Sequence, residues 1–206
     1  MSDRSLFSRR ELVAGLAAAT AGAFLQPSSA RASEATKVAT AARNTAASAG
    51  AAYQPKIYTA HEYATVQVLV DEIIPKDAKS GSATDAGVPE FMDTMLDLEP
   101  NMRTAHRGGL AWLDHESRRR FGKDFVACSA AERHVLLDDI AWPAKAKPEF
   151  AAGVNWFNSF RDFTATGFFT SEIGVEDIGY MGNQPVMKWE GCPPENYTRL
   201  GTSKPS

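Results

Sequence analysis

From about residue 59 onward, apolar residues recur at the spacing of α-helices. The stretch Thr59-Ala60-His61-Glu62 is a capping box, in which hydroxyl and carboxylate satisfy backbone donors at a helix start. Apolar residues follow at positions 63, 66, 70 and 73, which form one stripe on a helix. Pro75 ends this predicted helix, because proline cannot continue the backbone hydrogen bonds.

Four more helices are predicted downstream. Pro89 begins the second, Asn101 caps a third that ends at Gly122, Ser129 opens the fourth, and Pro148 begins the fifth. The apolar residues expected to face the core of these helices include Val88, Phe91, Met92, Met95, Leu96, Phe157, Phe160 and Phe163. Because no alternating apolar run precedes residue 165, the predicted class is all-α. We expect a compact helical domain of about five helices with an extended, irregular, aromatic, Gly- and Pro-rich C-terminal tail.

The N-terminal residues are typical of an export leader. Arg9 and Arg10 precede a weakly apolar run over residues 12–25, and Ala30-Arg31-Ala32 matches a cleavage motif. The pattern predicts a twin-arginine signal peptide over residues 1–32 and a periplasmic location. An ordinary secretory signal and a retained anchor are the alternatives.

Residues 33–55 are mostly Ala, Ser and Thr with few large apolar groups, which predicts a flexible linker. Residues 56–206 then form the helical domain with its tail. The whole chain has 206 residues and a formal charge of −3. Without the predicted leader it keeps 18 basic and 23 acidic residues, a formal −5. This acidic balance argues against a nucleic-acid partner.

No catalytic, cofactor-binding or metal-binding constellation is predicted in this chain. The histidines at positions 61, 106, 115 and 134 match no metal-binding motif, and we expect all four to face solvent. Asp71 and Glu72 occupy a helical last turn, where the helix dipole disfavours carboxylates. They indicate either charged partners elsewhere in the fold or the acid-based site of a stand-alone exported enzyme.

The two cysteines, Cys128 and Cys192, are a candidate disulfide in an oxidising compartment. Such a bond would tie the irregular tail to the helical body. A bond to another chain and two free thiols are the alternatives.

Three segments together resemble the gluconate 2-dehydrogenase subunit 3 family over roughly residues 57–195. They are VLVDEIIPKD, DAGVPEFMD and FRDFTATGFFTSEIGVEDIGYMGN, at positions 68–77, 85–93 and 160–183. The resemblance implies a non-catalytic small subunit of a complex that oxidises a sugar, a glycoside or a sugar acid such as gluconate. Its partner would be a large flavoprotein of the glucose–methanol–choline type that holds FAD, and a c-type cytochrome subunit with haem c would receive the electrons. The small subunit would stabilise and escort the flavoprotein during export, and would meet the membrane only through its partners.

The tail over residues 179–195, GYMGNQPVMKWEGCPPE, has no helical periodicity. Interface cores favour aromatic residues and methionine, so this region is the predicted docking segment. The candidate interface residues, all placed in the irregular stretch that follows the fifth helix, are Phe168, Phe169, Tyr180, Met181 and Trp189. The alternative is that these side chains fold back onto the helices of their own domain.

Overall fold

The computed structural model describes residues 28–182, 194–199 and 201, and the regular structure of these residues is helical, without a strand. Its helices are α1 (Ser29–Ser48), α2 (Ala60–Ile73), α3 (Val88–Leu98), α4 (Arg103–Phe121), α5 (Ala130–Ala141), α6 (Ala151–Phe169), α7 (Glu172–Asp177) and α8 (Pro194–Arg199). The all-α prediction is confirmed.

The local sequence signals set most of the helix ends. Both capping boxes form, with Thr59 starting α2 and Ser129 starting α5. Pro89 lies in the first turn of α3, and Gly122 follows α4 with a φ of 71°, a left-handed conformation that glycine adopts without strain. The start of α4 differs from the expectation, because a 3₁₀ turn over Pro100–Met102 precedes it and Asn101 provides no cap.

Helix α3 is the centre of the domain. Nine of its eleven residues are buried, and α1, α2 and α6 pack around it. The five apolar residues expected to face inward are all buried. So is Asp93, whose two carboxylate oxygens accept hydrogen bonds from the backbone N–H groups of residues 56, 57 and 58 and from the Tyr53 hydroxyl. This carboxylate fixes the segment that leads into α2.

Helices α4 and α6 cross at a reciprocal pair of glycines and tryptophans. A Cβ added to Gly109 would lie 1.9 Å from Trp156 Nε1, and one added to Gly153 would lie 2.4 Å from the Trp112 ring. Trp156 Nε1 also donates to the backbone carbonyl of His106 at 3.2 Å. Of the adjacent glycines 108 and 109, only Gly109 lies at this close helix crossing, because a Cβ on Gly108 would meet no atom within 4 Å.

The N-terminal part of the domain differs from the sequence-based expectation. A flexible linker is expected over residues 33–55, yet α1 is helical to Ser48 and packs on α3 through Ala32, Ala35 and Ala39. For residues 33–48 that expectation is wrong. Alanine has the highest helix propensity, and its small side chain lets two helix backbones approach closely. The division into leader, linker and domain otherwise stays a prediction.

Candidate docking surface

The surface at the C-terminal end of α6 exposes several large apolar side chains. The exposed fractions are 44% for Phe169, 58% for Ile178, 55% for Tyr180 and 79% for Met181. Exposed apolar residues that are grouped in one region are typical of protein–protein contact sites. The other large apolar residues that are exposed in the described part of the chain lie on α1 and at or just after α5.

A tight turn between α6 and α7 positions this surface. Ser171 caps α7: its hydroxyl accepts from Gly174 N at 3.1 Å and donates to the Phe168 carbonyl at 2.6 Å. A Cβ on Gly174 would lie 2.0 Å from that same carbonyl oxygen, so only glycine allows α7 to fold back this closely. The turn thereby directs residues 178–182 away from the core.

A groove of about 310 Å³ lies beside the exposed residues. Its walls come from the end of α2, the loop over residues 75–81, the C-terminal half of α6, and Asp177. Phe169 and Asp177 both line it, and Ile178, Tyr180 and Met181 follow within four residues of Asp177. We call the groove and these four apolar residues the docking surface.

Charged groups hold the loop wall of the groove in place. Asp77 Oδ1 accepts from the backbone N–H groups of Lys79 at 2.8 Å and Ser80 at 2.7 Å, and these bonds lower the pKa of Asp77. Lys79 Nζ reaches across to α7, where it lies 3.1 Å from the Asp177 carboxylate and also donates to the Asp177 carbonyl. Arg161 adds an exposed positive charge to the groove.

Some of the predicted interface residues are exposed in the structure, one is buried, and one lies outside the described residues. Phe168 is a correction: it is the penultimate residue of α6, is 1% exposed and belongs to the core cluster, although it also borders the groove. It points inward because α6 continues to Phe169 rather than giving way to an irregular tail. Phe169, Tyr180 and Met181 are exposed. Trp189 lies outside the described residues, and Ile178 is an exposed neighbour that the sequence reasoning missed.

The two acids of the alternative enzyme hypothesis have separate structural partners. Asp71 Oδ1 accepts from the backbone N–H of Thr84 at 2.7 Å, which joins α2 to the loop before α3. Glu72 accepts from Arg133 at 2.6 Å and pairs with His134 at 2.8 Å, which joins α2 to α5. Both acids therefore have structural roles, because their hydrogen bonds join α2 to neighbouring segments.

His106 is a second correction, because it is fully buried instead of facing solvent. Its Nε2 shares a hydrogen bond with the Tyr58 hydroxyl at 2.7 Å, and its ring stacks on Phe160 at a centroid distance of 5.3 Å. Burial lowers the pKa of His106 to about 3, so the ring is neutral near pH 7. Its position reflects packing, since Tyr58 from the segment before α2 supplies the polar partner.

The remaining predicted site residues stay predictions. Cys128 is buried after the 3₁₀ turn at Phe125–Ala127, while Cys192 lies outside the described residues, so their pairing is not decided. Arg9 and Arg10 also lie outside them. Within the part of the chain that the structure describes, no group of histidine, cysteine or acidic side chains could hold a metal ion. In the same part, no helix combines the length and apolar character needed to cross a bilayer.

These features define a small all-helical domain whose conspicuous surface is apolar and suited to contact with another protein. The family model described as gluconate 2-dehydrogenase subunit 3 matches residues 60–191, more than half of the chain, and the chain belongs to this family. The matched range includes α2 to α7 and the whole docking surface. Searches among curated proteins and among solved structures found no match.

Proposed function

We propose that this chain is the non-catalytic small subunit of a periplasmic, FAD-dependent sugar dehydrogenase complex of the glycoside or gluconate type. In this role it stabilises the flavoprotein catalytic subunit and escorts it through twin-arginine export. FAD belongs to the large glucose–methanol–choline-type subunit, and haem c to a cytochrome subunit that accepts the electrons. Membership of a dehydrogenase subunit family supports the accessory role.

The observation that carries the proposal is the docking surface. Phe169, Ile178, Tyr180 and Met181 expose between 44% and 79% of their surface, and Phe169 lines the groove beside them. Tyrosine, phenylalanine and methionine supply large contact areas at interface cores. Burying these side chains against the flavoprotein removes apolar surface from water on both partners, and binding to the folded form stabilises that form.

A binding measurement tests the surface. The double variant Tyr180→Ser/Met181→Ser removes two exposed side chains that contribute nothing to the core. If they are interface anchors, their loss costs at least about 2 kcal/mol of binding, which is about a 30-fold increase in Kd for the flavoprotein. The matched control is Val135→Ser/Trp142→Ser, which removes two apolar side chains exposed to similar fractions, 57% and 59%, at α5 and the residue after it.

The surface is not the interface if the two double variants bind the flavoprotein equally well, with far-UV circular dichroism unchanged in both.

The export role has its own test. Arg9→Lys/Arg10→Lys is expected to leave both this chain and the flavoprotein in the cytoplasm. A flavoprotein that still reaches the periplasm would contradict the escort role. It would leave the conclusion from the binding measurement on the double variants unchanged.

A further inference from the structure

The predicted cleavage motif Ala30-Arg31-Ala32 lies inside the first turn of α1. The Ser28 hydroxyl accepts from Arg31 N at 3.4 Å, and the Ser28 carbonyl accepts from Ala32 N at 2.9 Å. Thr36 Oγ1 donates to the Ala32 carbonyl at 3.0 Å. Ala32 itself is 1% exposed. The motif is therefore helical and partly covered.

Several contacts hold α1 against the domain along its length. Ala32, Ala35 and Ala39 form its buried stripe. Arg31 lies 3.3 Å from Glu99, the Thr36 hydroxyl shares a hydrogen bond of 2.9 Å with Thr170, and Arg43 donates to the Asp85 carbonyl at 2.9 Å. The partners lie at both ends of α3 and at the end of α6, so Ala32, the last residue of the motif, stays covered only while α1 is docked.

We propose that docking of α1 shields the motif, so that the folded chain keeps its leader and a leader peptidase cleaves only molecules whose α1 has undocked. The reaction is hydrolysis of the amide bond between Ala32 and Ser33. Water supplies the hydroxyl of the new carboxylate on Ala32 and the proton of the new amine on Ser33. A peptidase needs the backbone extended across its cleft, and residues hydrogen-bonded within a helix turn cannot meet that need.

Undocking of α1 requires far less than unfolding of the domain. The buried stripe consists of three alanines, and the polar contacts are mostly exposed. Elements with so little buried apolar surface open at the low end of the range of local stabilities. When opening is fast relative to cleavage, proteolysis follows the fraction of open molecules. Leader removal thereby reports on the docking of α1.

This inference rests on the leader that the proposed function also uses, but not on the flavoprotein. The twin-arginine route carries folded proteins, so the chain crosses the membrane with α1 docked and the leader attached.

The test uses the purified full-length precursor in detergent with a purified bacterial leader peptidase, followed by intact mass. Ala35→Asp places a charge at a position with no exposure and undocks α1, and we expect cleavage after Ala32 at least about tenfold faster than in the unaltered chain. Ala41→Asp is the matched control on the exposed side of the same helix, with a rate within about twofold of the unaltered chain. Hydrogen exchange confirms which variants have undocked α1.

A crosslink provides the opposite perturbation. Thr36→Cys/Thr170→Cys joins α1 to the end of α6 where the two hydroxyls already touch, and oxidation is expected to slow cleavage at least about tenfold relative to the reduced protein. Equal rates for the oxidised and reduced forms, or for Ala35→Asp and the unaltered chain, overturn the inference.

A synthetic peptide of residues 1–40 distinguishes a missing cleavage site from a failure of the shielding. A peptide that resists cleavage shows that no cleavage site exists there, which refutes the predicted cleavage motif and this inference with it. If the peptide is cleaved but the Ala35→Asp protein is not, although its α1 has undocked, then the shielding is refuted and the cleavage motif stands.

Discussion

Replacing Gly109 with alanine is expected to destabilise the domain, whereas the same replacement at the adjacent Gly108 is expected to stabilise it. Both residues lie inside α4, where alanine is favoured over glycine by about 1 kcal/mol. A Cβ on Gly108 meets no atom within 4 Å, so Gly108→Ala should gain about that amount. Gly109 differs from Gly108 in the atoms of α6 that face it.

At Gly109 the new methyl group would lie 1.9 Å from Trp156 Nε1. Relief of that overlap by movement of α6 costs about 1–3 kcal/mol, and loss of the Trp156 hydrogen bond to the His106 carbonyl costs about 1 kcal/mol more. After the helix gain is subtracted, Gly109→Ala should lose about 1–3 kcal/mol. The two variants should therefore differ by about 2–4 kcal/mol.

Urea unfolding of both variants and of the unaltered chain, followed by far-UV circular dichroism, measures this difference. With an unchanged denaturant slope, the midpoint should rise for Gly108→Ala and fall for Gly109→Ala. If both midpoints move in the same direction by similar amounts, the close crossing of α4 and α6 at Gly109 is refuted.

Three further expectations follow from buried polar contacts and the α6–α7 turn. Asp93→Asn leaves some of the backbone N–H groups of residues 56–58 or the Tyr53 hydroxyl without an acceptor and should lower the free energy of unfolding by about 3 kcal/mol in urea titrations. The pKa of His106 is near 6.5 in the unfolded chain and about 3 in the folded protein, so the unfolded chain binds the proton first as the pH falls. The free energy of unfolding should therefore decrease between these pH values, by up to about 1.4 kcal/mol per pH unit. His106→Gln should lack this pH-dependent contribution. Gly174→Ala should displace α7 from the Phe168 carbonyl and weaken flavoprotein binding while helix content is retained; unchanged binding would contradict the placement of the docking surface.

The sequence was most informative where local chemistry determines structure. Capping at Thr59 and Ser129, the proline at position 89 and the glycine at position 122 each act on the turn that contains them, and each was predicted correctly. The large apolar residues of α3 and α6 likewise repeat at helical spacing, so their burial could be expected. These signals need no knowledge of which helix packs on which.

The wrong expectations concern residues whose surroundings come from distant segments. The alanines of α1 carry no large apolar signal, and their role is visible only once α3 lies opposite. Phe168 and Phe169 are adjacent and identical, yet the direction of α6 buries one and exposes the other. His106 is buried because Tyr58, 48 residues away, meets its ring nitrogen. No pattern within one helix encodes these pairings.

The most direct test of the account is purification of this chain from its native source through an affinity tag, with the flavin absorbance of the product recorded. The account predicts that a flavoprotein coelutes in fixed stoichiometry and carries all of the flavin and sugar-oxidising activity. It also predicts that the separated small chain is colourless and inactive. A chain that purifies without a flavoprotein partner, or that binds flavin or oxidises a sugar by itself, would contradict the account.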